Sequence, residues 1–172
     1  MSLKKIKFIV IFFSIIFFTS KASFANENIK SLGKFKDWET FSMSENGNKV
    51  CFAQSIPILQ APKKYERTSR IFVTFRPSEK INDEISVTAG YVFNAQNKVT
   101  AKSGKNVFRF STVQENFAWF QKNKTEKKLI KVMKKGSRLM VAGYNMQGSQ
   151  TIDHYSLLGF TKAYSTTKKN CS

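Results

Sequence analysis

The chain has 172 residues, with 29 lysines and arginines against 11 aspartates and glutamates, a net charge of +18, and only two cysteines. That length suits one domain with a real core and is too short for two comfortable ones. The charge implies affinity for acidic surfaces, whether lipid headgroups, anionic polysaccharide or nucleic acid, and bears on association and solubility rather than on fold.

In chain order, Lys4, Lys5 and Lys7 precede an apolar run over residues 8–18, and Ser23-Phe24-Ala25 follows as a small-x-small cleavage site. This is the layout of a secretory signal peptide, its apolar middle too short to span a bilayer comfortably. An uncleaved anchor is disfavoured because Thr19, Ser20 and Lys21 interrupt the run, and without a cysteine at the cleavage point a lipoprotein is not indicated. Residues 1–25 are therefore expected to be removed, leaving residues 26–172 as one domain. Without the segment's four lysines the mature chain keeps a net charge of +14. Export to the periplasm, outer envelope or exterior argues against nucleic acid as the natural partner.

Both cysteines, Cys51 and Cys171, fall in the mature part, where an oxidising compartment favours a disulfide between them. The alternatives are a redox pair or metal ligands, but there is no C-x-x-C spacing and His154 is the only imidazole.

Residues 26–34 read as a polar lead-in, and from Phe35 onward the pattern is that of strands. Ile71, Val73 and Phe75 alternate with Phe72 and Thr74 until Pro77 stops the run. Ile85, Val87, Ala89, Tyr91 and Phe93 alternate with smaller or polar residues. Val99 with Ala101, Phe108 with Phe110, and Leu139 with Val141 extend the pattern, with turn chemistry at residues 94–98 and Ser103-Gly104. Residues 151–160 read as a last segment buried on both faces. One stretch departs from period two: residues 124–135 place Leu129, Val132 and Met133 at helical spacing and stop at Gly136. Seven or eight short strands with one helix predict a mainly β fold, an antiparallel β-sandwich of immunoglobulin-like or partly open barrel form.

Catalytic chemistry needs converging acids, bases and nucleophiles, and the inventory is thin. Asp153 and His154 are adjacent on a predicted strand, so their side chains point to opposite faces and cannot form a base-orienter pair. There is no G-x-S-x-G elbow, H-E-x-x-H helix or phosphate loop. No catalytic residue, cofactor or metal site is predicted, and an enzyme centred on Asp153 and His154 is a minor alternative.

The predicted helix is sharper. Lys124, Lys127, Lys128, Lys131, Lys134 and Lys135 place six charges within twelve residues, and Lys122 adds a seventh just upstream. With Leu129, Val132 and Met133 facing the core, Lys124, Lys127, Lys128, Lys131 and Lys135 share the outer half, a candidate anion-binding stripe whose plain counterpart is a solvated helix face. Trp38, Phe117, Trp119 and Phe120 could form a sugar-stacking platform, yet rings placed just before a helix more often fill the corner between helix and sheet, and packing is the favoured reading.

The segments Arg76-Pro77, Asn82-Asp83-Glu84-Ile85-Ser86-Val87, Gly90-Tyr91-Val92-Phe93, Met133-Lys134-Lys135-Gly136 and, above all, the run from Gly148-Ser149-Gln150-Thr151 through Leu157-Leu158-Gly159-Phe160 to Ala163 occur in an order and spacing that resemble the invasion-associated locus B family of exported bacterial proteins. The resemblance extends from Asp37-Trp38 to Cys171. It implies a small β-sandwich in the periplasm or outer envelope, associated in some members with entry into host cells, and it supplies no catalytic residues. The chain departs from the family at Val92, in place of a proline, at Phe75, in place of a common histidine, and in having a single cysteine pair. The expected function is non-enzymatic binding of an anionic envelope component or an envelope protein through the basic face; the alternative is a surface-displayed or secreted host-cell adhesin or invasion factor.

Overall fold

The computed structural model describes residues 29–63 and 67–171. The expected signal peptide and its cleavage site lie outside the described residues. Twelve strands and two helices are described: β1 (Lys30–Phe35), β2 (Trp38–Glu45), β3 (Asn48–Ser55), β4 (Leu59–Ala61), β5 (Arg70–Arg76), β6 (Ile81–Thr88), β7 (Thr100–Ser103), β8 (Asn106–Arg109), β9 (Thr112–Gln114), β10 (Phe117–Trp119), α1 (Asn123–Met133), β11 (Arg138–Tyr144), β12 (Gln150–Ser156) and α2 (Phe160–Cys171).

Local sequence sets several of the reversals. Asn46-Gly47 joins β2 to β3, both residues at positive φ (49° and 79°), the conformation that a two-residue hairpin of right-handed twist demands and that Asn-Gly supplies. Pro77 cannot donate to a ladder, so β5 gives way to a 3-10 turn over Pro77–Glu79 before β6 returns beside it. The strands form two antiparallel sheets, ordered β1-β2-β3-β5-β6-β10-β9 and β4-β12-β11-β7-β8. This is the expected sandwich, with no closed barrel. β1 differs from the expected loose lead-in: it is an edge strand, broken by a bulge between Ser31 and Gly33, and its exposed lysines hide its period.

The core lies between the sheets. Ile71, Val73 and Phe75 of β5 and Ile85 and Val87 of β6 face inward with Ala101, Leu139 and Tyr155 of the other sheet, all essentially excluded from solvent. Trp38 fills the layer's end, and its indole N–H donates to the Ser156 carbonyl at 3.0 Å, tying one sheet to the other.

The second helix, α2, is additional to the single helix expected: it starts at Phe160, the last residue of the segment read as a doubly buried strand, and runs on to Cys171. Its inward residues, Phe160, Ala163, Tyr164, Thr167 and Cys171, recur at three- and four-residue intervals and pack across β1, β2, β3 and β5. Gly159 permits the abrupt change from β12 to α2: its φ is +89°, and a Cβ there would collide with the Phe35 carbonyl oxygen. Leu158, expected to be buried, is 61% exposed because this turn rotates it outward. Cys171, in the last turn of α2, forms the expected disulfide with Cys51 of β3, with the two Cα atoms 5.8 Å apart.

Candidate functional site

The helix α1 lies where β10 runs out. β10 pairs with β6 only along Ser86, Val87 and Thr88, which leaves the Ile85 N–H without a strand partner on that side. Glu126 of α1 supplies one, its carboxylate accepting that N–H at 3.0 Å. Around it Leu129, Ile130 and Met133 enter the core. Ile130, not Val132, is the third apolar anchor; Val132 is half-buried, because inserting Glu126 rotates the helix so that residues 126, 129, 130 and 133 share the inner face. Burial pushes the Glu126 carboxyl up to about 7, with Glu84 and Asp83 adding to the rise and the Ile85 bond opposing it.

Turning Glu126 inward strips the outer face of α1 of its single acid. Lys122, Lys124, Lys127, Lys128, Lys131, Lys134 and Lys135 are all exposed. The ion pairs among the described residues are Lys34 with Glu39, Arg67 with Asp153, and Arg76 with Glu84, none of which uses an α1 lysine. Lys134 parts from the group: its ammonium lies 4.0 Å from the centre of the Tyr164 ring, so it covers α2 rather than joining the outer stripe. Lys124, Lys127, Lys128 and Lys131 border an open trough of about 450 Å³ together with Asn123. A neighbouring hollow of about 570 Å³ separates the end of α1 from the β7–β8 turn, where Lys131 and Lys135 meet Arg138 of β11. Arg138 escaped the sequence reading because a glycine and a strand start separate it from the helix; the helix stop at Gly136 is what swings it back.

The other sequence candidates separate. Asp153 is 2% exposed and paired with the buried side chain of Arg67, while His154 stands on the opposite face of β12, half-buried. Gln60 also bonds the Arg67 backbone and Ser69, and Tyr91 shares a 2.6 Å hydrogen bond with Thr151, so this end of the core is a polar brace. Burial raises the Tyr91 hydroxyl's pKa, which keeps it neutral. The four aromatics divide. Trp38 and Phe120 are core, as the packing reading expects, whereas Phe117 is 39% exposed and Trp119 half-buried on the outer face of the seven-stranded sheet.

Among the described residues no three His, Cys, Asp or Glu side chains form a group able to hold a metal ion, and no helix is long and apolar enough to cross a membrane. A family model described as invasion associated locus B (IalB) protein matches residues 38–168. A search of the curated proteins finds no match. Among solved structures, the chain is similar to invasion associated protein B from Bartonella henselae, with 14% sequence identity, a TM-score of 0.59, and coverage of 82% of this chain and 96% of that one, a likeness of fold.

Proposed function

This chain belongs to the invasion-associated locus B family, and on that premise we propose that it is an exported, non-enzymatic envelope protein that binds an anionic envelope component, or an acidic envelope protein, through the lysine face of α1. The observation that carries the reading is the inward turn of Glu126, which leaves the outer lysines of α1 without a compensating carboxylate among the described residues. Several uncompensated ammonium groups on one rigid helix attract a polyanion jointly, at roughly 1 kcal/mol for each lysine near an anionic surface. Lys131 borders both the trough and the hollow that Arg138 completes, so one ligand can engage both.

Replacing Lys127, Lys128 and Lys131 by glutamate tests it. At low salt, sedimentation of the mature protein with isolated envelope fractions is expected to weaken about 100-fold in the triple variant. Wild-type retention is expected to collapse as salt shortens the Debye length from about 10 Å at 0.1 M to about 3 Å at 1 M. Unchanged retention in the triple variant removes α1 as the site. The family's description favours a second reading, a host-directed adhesin or invasion factor at the cell surface. Complete protection from added protease on intact cells would exclude a stably displayed pool.

A further inference from the structure

The outer face of the seven-stranded sheet carries an aromatic band that the lysine face does not use. Phe41 of β2, Phe52 of β3, Phe72 of β5 and Phe117 of β10 follow one another with ring centroids 5.3, 6.1 and 6.4 Å apart. The step from Phe72 to Phe117 crosses β6, which contributes no ring of its own. On β6, Ser86 stands opposite Phe72 on one side and Trp119 on the other, so a small hydroxyl takes the place of a ring. Beside Ser86 lies a cleft of about 400 Å³ with Ser86, Phe117 and Trp119 among its walls.

Its polar groups are of a different kind from those of α1. Arg76 and Glu84 form a 2.8 Å ion pair at its rim, each side chain about one quarter exposed, and Glu115 also lines it. No lysine lines it, in a chain with 29 basic residues, so it lacks the positive excess that would draw an anion. The ion pair still has free guanidinium N–H donors and carboxylate lone pairs to offer. Covering it with an apolar chain would desolvate both charges without replacing their water contacts, which is costly. A ligand with an apolar C–H face for the rings and a rim of hydroxyls for Arg76, Glu84 and Ser86, with Gln114 and Glu115 as further polar partners, suits both kinds of lining at once. The geometry points to a binding site here for a neutral saccharide, stacked on Phe117 and Trp119 and hydrogen-bonded by the Arg76–Glu84 pair. This site is separate from the anionic site on α1, and each can fail without the other.

The chain carries its own reporter. Of its two tryptophans Trp38 is fully buried, so a ligand in the cleft is read by Trp119. Titrating the mature protein with cellotetraose and with N-acetylchitotetraose, both neutral, is expected to give for at least one a saturable emission change and protection from acrylamide quenching, with a Kd of about 0.1 to 1 mM. Phe117→Ala, at an exposed ring, is expected to weaken binding about tenfold. Ser86→Phe, which fills the gap with a residue suited to a strand, is expected to abolish it. The Lys127, Lys128 and Lys131 charge reversal and added salt are expected to leave it unchanged. The proposal is overturned if neither sugar alters the emission up to about 10 mM, or if the response survives Phe117→Ala and Ser86→Phe. A response confined to a sulfated tetrasaccharide and lost in salt would move the effect to the lysine face and overturn it too. So would self-association of the free chain that Ser86→Phe removes, since the occupant would then be a second copy.

Discussion

Serine at both Cys51 and Cys171 is expected to lower the stability of a protein of residues 26–172 by about 4 to 5 kcal/mol and its melting temperature by about 15 °C. The bridge spans a sequence separation of 120 residues, so in the chain-entropy account it removes from the unfolded ensemble much of the freedom of the chain between them. Its location adds a local effect. Cys51 lies in the middle of β3, fully buried, whereas Cys171 closes the last turn of a helix containing Thr161, Ser165, Thr166 and Thr167, residues that gain little from helical backbone. The first turns of α2 retain Phe160 against Trp38, with ring centroids 4.9 Å apart, and Tyr164 against Phe75, at 5.8 Å. The last turn loses its covalent anchor. Hydrogen exchange of the double variant should therefore show a general fall in the protection of core amides that tracks the lower global stability, with a further local loss at the end of α2, alongside a lower urea midpoint. An unfolding free energy within about 1 kcal/mol of wild type would mean that the unfolded chain is already restricted without the bridge.

The strands buried on one face were legible, because period two survives wherever water lies on the other side: β5 and β6 are marked by Ile71, Val73 and Phe75 and by Ile85 and Val87. The sandwich follows from many such strands and few helices. α2 was not legible, although its inward spacing is regular, because two of its five inward residues disguise it. Thr167 is fully buried but satisfies its hydroxyl on the Ala163 carbonyl at 2.9 Å, so a polar letter stands at a core position. Cys171 is buried through its bond, which hydropathy does not register.

The candidate site shows the same division. The lysine stripe was legible from charge spacing, and so was the separation of Asp153 from His154. What escaped notice depends on tertiary register. Phe117 and Trp119 occupy alternate positions of β10, Ala118 and, just past the strand, Phe120 take the other side, and only the pairing of Ala118 with Val87 decides which pair faces the core. Glu126 escaped notice because an acid among lysines on a helix reads as a solvated partner for them, whereas here an unpaired strand N–H draws it inward.

That inward carboxyl carries the second large effect, a stability that falls as pH rises. Glu126 titrates near 7 in the folded chain against an ordinary value of 4.5, so between those values the folded state holds a proton that the unfolded state has released. Its contribution is fully present below about pH 4.5 and is lost as pH rises through about 7, with a total of about 3 kcal/mol. Glu126→Gln keeps an amide oxygen to accept the Ile85 N–H and removes the charge that burial penalises. The variant is expected to match wild type near pH 4.5 and to exceed it by about 3 kcal/mol at pH 8. Glu126→Ala removes the acceptor and leaves the strand donor unpaired, costing about 1 to 3 kcal/mol at pH 4.5, where the charge is absent. Urea unfolding of the three proteins at pH 4.5, 6 and 8 separates the charge from the hydrogen bond, because only the charge term depends on pH. If Glu126→Gln and wild type stay parallel across that range, the lysines of α1 stabilise the carboxylate enough to cancel its burial. A wild-type advantage that grows with pH would further show that the ionised form is the one the fold prefers.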